Sequence, residues 1–123
     1  MSKTFGNFVK EKRMKNDFSL KEVAETIGIS AVYQSSIEAG KRPAPSYNVL
    51  VKLGKVLMLK ENELDEMFDL AAKSKKSKVV AYDIADYINE NEYINKAIRY
   101  SKKKNIPQSE WINFINTMSE KYS

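Results

Sequence analysis

An all-α protein is the fold class that the 123 residues predict, with five helices closing one domain and a short helical segment after it. Three observations predict it. Apolar residues recur at three- and four-residue spacings from Phe5 to Tyr122, the period of helices with one buried face. Residues that favour helix N-caps stand ahead of these runs, at Thr4, Ser19, Ser30 and Ser46. Between Ser19 and Pro45, two short helical runs are joined by a tight turn at Gly28.

The first helix is expected from Thr4 to about Lys15, with Phe5, Phe8 and Val9 on its apolar face, and Asn16-Asp17 ends it with turn-forming residues. The second starts at Ser19, whose spacing to Glu22 is that of a capping box, and buries Val23, Ala24 and Ile27. Gly28 stands where the helix stops and the chain reverses, a position that favours a left-handed residue without a side chain. Ser30 caps the third helix, which ends at Gly40. Ala24 is small enough for this helix to cross the second closely. Pro43 and Pro45 stiffen the connector. Ser46 opens a fourth helix with Val49, Leu50, Leu53, Val56 and Leu57 inward, and a fifth from about Lys60 to Ala72 buries Leu64, Met67, Phe68 and Ala71.

Residues 73–78, KSKKSK, read as a basic linker or a frayed helix end, with DNA contact as the lesser alternative. Three amphipathic stretches fill residues 79–123: Ile84, Tyr87 and Ile88 with Asp83 as a candidate cap; Ile94, Ala97 and Ile98 after Asn91; and Trp111, Phe114, Ile115, Met118 and Tyr122 after Pro107. A unit this short seldom holds a sufficient core alone. It is expected to dock on the first domain or on a second copy of the chain, and the second is preferred.

Ala24, Gly28-Ile29-Ser30, Ile37-Glu38, Gly40-Lys41-Arg42 and the prolines after them resemble the Cro/phage-repressor (xenobiotic-response-element) helix-turn-helix regulators over residues 4 to 72. The resemblance implies a five-helix repressor-like domain (1–72) whose helix 30–39 enters a DNA major groove. It also implies a structural ion pair between Arg13 and Glu38. Two positions depart from the family pattern. Leu20 stands where many relatives carry a phosphate-contacting Gln. Gln34 stands where an inward Leu or Ile is usual, leaving it either at the edge, within reach of a base or phosphate, or buried and in need of partners.

The candidate DNA-binding residues are Ser19 and Lys21 at the start of the second helix, Ser30, Ala31, Val32, Gln34, Ser35 and Ser36 on the third, and Lys41 and Arg42 after it. With Ile37 inward, the outward face of the third helix is Ala31, Val32, Ser35, Ser36 and Ala39, all small. No Arg, Asn or Gln projects from its centre to make a bidentate base contact. Modest direct readout is expected, with Val32 and Ala31 against thymine methyls and a larger share from DNA shape and phosphates. The same smoothness suits a surface on which another protein packs.

Charge agrees with a polyanionic partner. The net charge is +5, and residues 1–78 carry 15 Lys/Arg against 10 Asp/Glu while residues 79–123 carry 6 of each. With neither Cys nor His, there is no disulfide, thiol nucleophile, thiolate metal site or imidazole base, which argues against an enzyme; no catalytic residue, metal or cofactor is expected. No apolar run approaches membrane-spanning length and no signal peptide is read. The expected protein is a cytoplasmic, non-enzymatic regulator from a bacterium or phage, binding double-stranded DNA as a homodimer and repressing by occlusion. The alternatives are an antitoxin-like or phage-encoded regulator whose C-terminal segment binds a protein partner, and a protein-binding module that has lost DNA binding.

Overall fold

A computed structural model describes residues 3–123. Among them lie eight helices and no strand: α1 (Phe5–Lys15), α2 (Leu20–Ile27), α3 (Ala31–Glu38), α4 (Tyr47–Val56), α5 (Glu61–Lys73), α6 (Tyr82–Glu90), α7 (Glu92–Lys103) and α8 (Gln108–Lys121). The chain divides into two units, the first reaching to Ala85 and the second running from Asp86 to Ser123, so the division falls inside α6.

The helices of the first unit start where capping chemistry allows. Thr4 Oγ1 accepts the Asn7 N–H at 3.1 Å. Ser19 Oγ accepts the Glu22 N–H at 3.0 Å while Glu22 Oε1 accepts the Ser19 N–H at 2.9 Å, completing the capping box. Ser30 Oγ accepts the Tyr33 N–H at 3.0 Å. Two expected caps differ. Ser46 occupies the N-cap of α4, but its side chain makes no capping bond. Asp83 lies within the first turn of α6 instead of ahead of it, because α6 begins at Tyr82. Gly28 closes α2 with φ +80°, the left-handed conformation that side chains resist.

In the first unit α1 packs on α3 and α5, α2 on α3 and α4, and α4 on α5. Phe8, Val9, Val23, Ile27, Leu50, Leu53, Leu57 and Met67 form the fully buried centre. Gly6 lets α1 lie against the end of α3: a Cβ there would stand 2.5 Å from the Ile37 carbonyl oxygen and 2.6 Å from that of Glu38. Lys12 donates to Glu63 at 2.6 Å, which ties α1 to α5, raises the Lys12 pKa and pulls the Glu63 carboxyl down to about 2.

The end of this unit differs from the boundary expected at residue 72. Ala81 is buried, and both it and Tyr82 pack on the same core. The basic stretch is also less free than a linker, since Lys73 is the last residue of α5 and Ser74 and Lys75 bond to Ala44.

The second unit holds the rest of α6, with α7 and α8. Asn91 caps α7, its side-chain oxygen accepting the Tyr93 and Ile94 N–H groups. Trp111 and Phe114 meet edge to face at 6.2 Å. None of the residues of α6, α7 or α8 is buried, and Trp111, Ile112, Phe114, Ile115 and Tyr122 are exposed.

Candidate nucleic-acid interface

The outward surface of α3 is built by what its inner surface does. Ile37 is buried in the core, and Gln34 and Glu38 are buried beside it. Arg13 reaches from α1 with its whole fork: Nε donates to Glu38 Oε2 at 2.8 Å, Nη2 to Glu38 Oε1 at 2.9 Å, and Nη1 to the Phe18 carbonyl at 2.8 Å. The hydrogen bond to Glu38 raises the Arg13 pKa further above its ordinary value. Bidentate pairing of this kind fixes orientation as well as distance, so α3 is locked against α1 in rotation as well as position.

Gln34 is a correction to its reading as a DNA contact. It is 1% exposed, and its Nε2 donates to Glu38 Oε2 at 2.8 Å. The neighbouring Tyr33 is half-buried and packs at the margin of the same core. A buried amide is tolerated because the Glu38 carboxylate has lone pairs left after Arg13 has been served. No buried side-chain nitrogen or oxygen among the described residues lacks a partner.

With these positions locked inside, Ala31, Val32, Ser35 and Ala39 are exposed and Ser36 is half-buried; Val32 is 78% exposed. The Ser30 hydroxyl accepts the Tyr33 N–H and still has its own hydrogen to donate outward. At the end of the helix, Gly40 takes φ +77°, and the Lys41 and Arg42 N–H groups donate to the Ser36 carbonyl at 2.9 and 3.3 Å. This turn holds two exposed cations beside the helix end, and the Arg42 guanidinium lies 5.8 Å from the Tyr33 ring centroid.

The start of α2 is less open to anions than its sequence suggests. Lys21 is exposed, but the Ser19 N–H is taken by the Glu22 carboxylate, whose pKa falls as it accepts the Ser19 backbone bond and then that of the side chain. A negative group therefore already occupies part of the helix start. Leu20 is half-buried, at a shallow depression shared with Lys10, Arg13, Ser35, Glu38 and Ala39.

A family model described as a helix-turn-helix domain matches residues 4–67. This chain belongs to the helix-turn-helix family of transcription regulators. The helix-turn-helix unit is α2 and α3, with Gly28 as its turn. Among solved structures, the chain is similar to a chain of a SinR protein/SinI protein complex, at 22% identity and a TM-score of 0.49, over 96% of this chain and 97% of that one. No curated protein matches it. No helix among the described residues is long and apolar enough to cross a membrane.

Two lysines outside the candidate set lie close to its residues: Lys10, and Lys76 from the stretch where DNA contact was the lesser alternative. Lys10 borders the depression beside α3, and its signal was its position one turn before Arg13 on the same helix. Lys76 lines a groove together with Lys41 and Arg42. No local pattern announces that neighbourhood, because α4 and α5 separate the two segments in the chain.

Proposed function

We propose that this protein is a DNA-binding repressor that acts as a homodimer, setting two copies of α3 in successive major grooves and occluding a promoter. The observation that carries this reading is the slim, exposed face of α3, with Lys41 and Arg42 held at its end and the Arg13–Glu38–Gln34 network fixing its rotation from behind. Ala31, Val32, Ser35 and Ser36 approach base edges, Val32 against a thymine methyl and the serines through single hydrogen bonds. Ser30, Lys21, Lys41 and Arg42 hold phosphates, with Ser19 acting mainly as the cap of α2. Base contacts of this size supply modest discrimination, so DNA shape and phosphate attraction supply the rest. Dimerisation is supported by the second unit, whose helices bury none of their residues while exposing Trp111, Phe114 and Ile115.

Selection of bound sequences from random duplex DNA, with light scattering on the free protein, tests the reading. An enriched two-fold symmetric site and a dimeric mass are expected. A monomeric mass with no enriched sequence rejects it.

The second reading, a module that binds protein through α3, is favoured by one observation: with Gln34 buried, no long polar side chain remains on the exposed face of α3. A gel shift at low salt, on the DNA upstream of the protein's own gene, separates the two. Absence of any shift favours the module.

A further inference from the structure

Ser74 and Lys75 fasten the chain after α5 to the loop after α3. Ser74 Oγ accepts the Ala44 N–H at 2.9 Å and donates to the Ala71 carbonyl at 2.6 Å, and the Lys75 ammonium donates to the Ala44 carbonyl. Both backbone groups of Ala44 are thus engaged by one dipeptide. The Lys75 ammonium also lies 5.6 Å from the centroid of Tyr82, which packs on the core. These contacts hold two basic segments, distant in the chain, on either side of a groove of about 640 Å³. Lys41 and Arg42 line one side and Lys75 and Lys76 the other, with Phe5 and Ile37 contributing apolar surface. No Asp or Glu lines it. The ion pairs among the described residues are Lys3–Glu66, Lys12–Glu63 and Arg13–Glu38, and none of them engages a groove cation.

We propose that the segment after α5 extends the phosphate-binding track of Lys41 and Arg42, with Lys76 and Lys78 lying along the sugar–phosphate backbone of bound DNA. The proposal rests on the reading of α3 as the helix that meets DNA. A cluster of cations with no acidic neighbour in the groove lining attracts a polyanion. The row continues past the groove to the exposed Lys78, which a repeating backbone can follow and a single small ion cannot. Lys75 holds the segment in place, and Lys76 and Lys78 carry the contacts.

The full chain is titrated into a labelled random-sequence duplex across a series of salt concentrations, alongside Lys76→Gln/Lys78→Gln and an equal charge loss in the second unit, Lys103→Gln/Lys104→Gln. All four side chains are exposed, and thermal melts check that each variant is folded. Each lost phosphate contact lowers the slope of log affinity against log salt by about 0.9. The Lys76/Lys78 variant is expected to show a slope shallower by about 2 and roughly tenfold weaker binding to all sequences alike, with the control at wild-type slope. An unchanged slope in the Lys76/Lys78 variant overturns the track while leaving the role of α3 intact. An equal change in the control assigns the effect to net charge and also overturns the track. A wild-type chain that binds no duplex at low salt removes the DNA reading and the track together.

Discussion

Arg13 has five donors and places three of them, two on Glu38 and one on the Phe18 carbonyl. Glu38 in turn accepts from Gln34, so a single carboxylate serves two buried donors from two helices. Removing that carboxylate leaves a buried guanidinium and a buried amide unpaired. Glu38→Ala is therefore expected to cost about 3–5 kcal/mol, read from the urea midpoint. Gln34→Leu deletes the amide with its demand for a partner, and leaves Arg13 and Glu38 paired. It is expected to change stability by less than about 1.5 kcal/mol and DNA affinity hardly at all; a selective loss of DNA binding would restore Gln34 as a contact. Lys12 and Glu63 make a pH-dependent pair. Glu63 is held at about 2 in the fold against an ordinary 4.5, so its stabilising effect is present above about 4.5 and lost as pH falls toward 2. Between those values the wild-type urea midpoint should fall more steeply with acidification than that of Glu63→Gln. Parallel curves would exclude Glu63 as the titrating group.

At the scale of helices, the close approach of α1 to the end of α3 depends on Gly6. Its absent Cβ would meet two carbonyl oxygens at 2.5 and 2.6 Å, which are backbone and cannot swing aside. Gly6→Ala should force α1 outward, destabilising the domain by about 1–3 kcal/mol, measured by chemical denaturation. Because α3 is clamped by the same contact region, DNA affinity should fall beyond what the unfolded fraction explains. The exposed end of α3 permits a second comparison. Arg42→Ala is expected to weaken binding to all duplexes alike and to lower the salt slope by about 1, whereas Val32→Ala should act at one base position. Equal losses on every sequence from both variants would reject the division between phosphate and base contacts.

For the molecule as a whole, the contrast is between a first unit with a full core and a second unit with no buried side chain on α7 or α8. A helical pair that leaves Trp111, Phe114 and Ile115 in solvent gains little from the hydrophobic effect within its own chain. Dimerisation through these residues would supply the missing burial and would couple two DNA-binding units. Phe114→Asp should then halve the mass seen by light scattering. It should also weaken binding to a paired site by about 100-fold or more while sparing a single half-site. A wild-type mass in that variant would move the dimer contact elsewhere.

Much of the fold was legible in the residues because its signals are local. The capping bonds at Thr4, Ser19 and Ser30 and the reversal at Gly28 each depend on groups within four positions of one another. Helical periodicity likewise marks Phe8, Val23, Leu53 and Met67 as inward without knowledge of what they meet. Three features required the packed chain. Gln34 could face a base or the core, and a carboxylate already anchored by Arg13 on another helix drew it inside. The stretch after α5 read as a free linker until Ser74 and Lys75 met the backbone of Ala44, 30 and 31 positions away, while Lys76 and Lys78 stay exposed. Ala81 and Tyr82 joined a core that ordinary helix spacing had closed at residue 72. Periodicity reports which side of a helix is apolar; the choice of a partner for a polar side chain is made by groups brought from distant segments, and no short window of residues contains them.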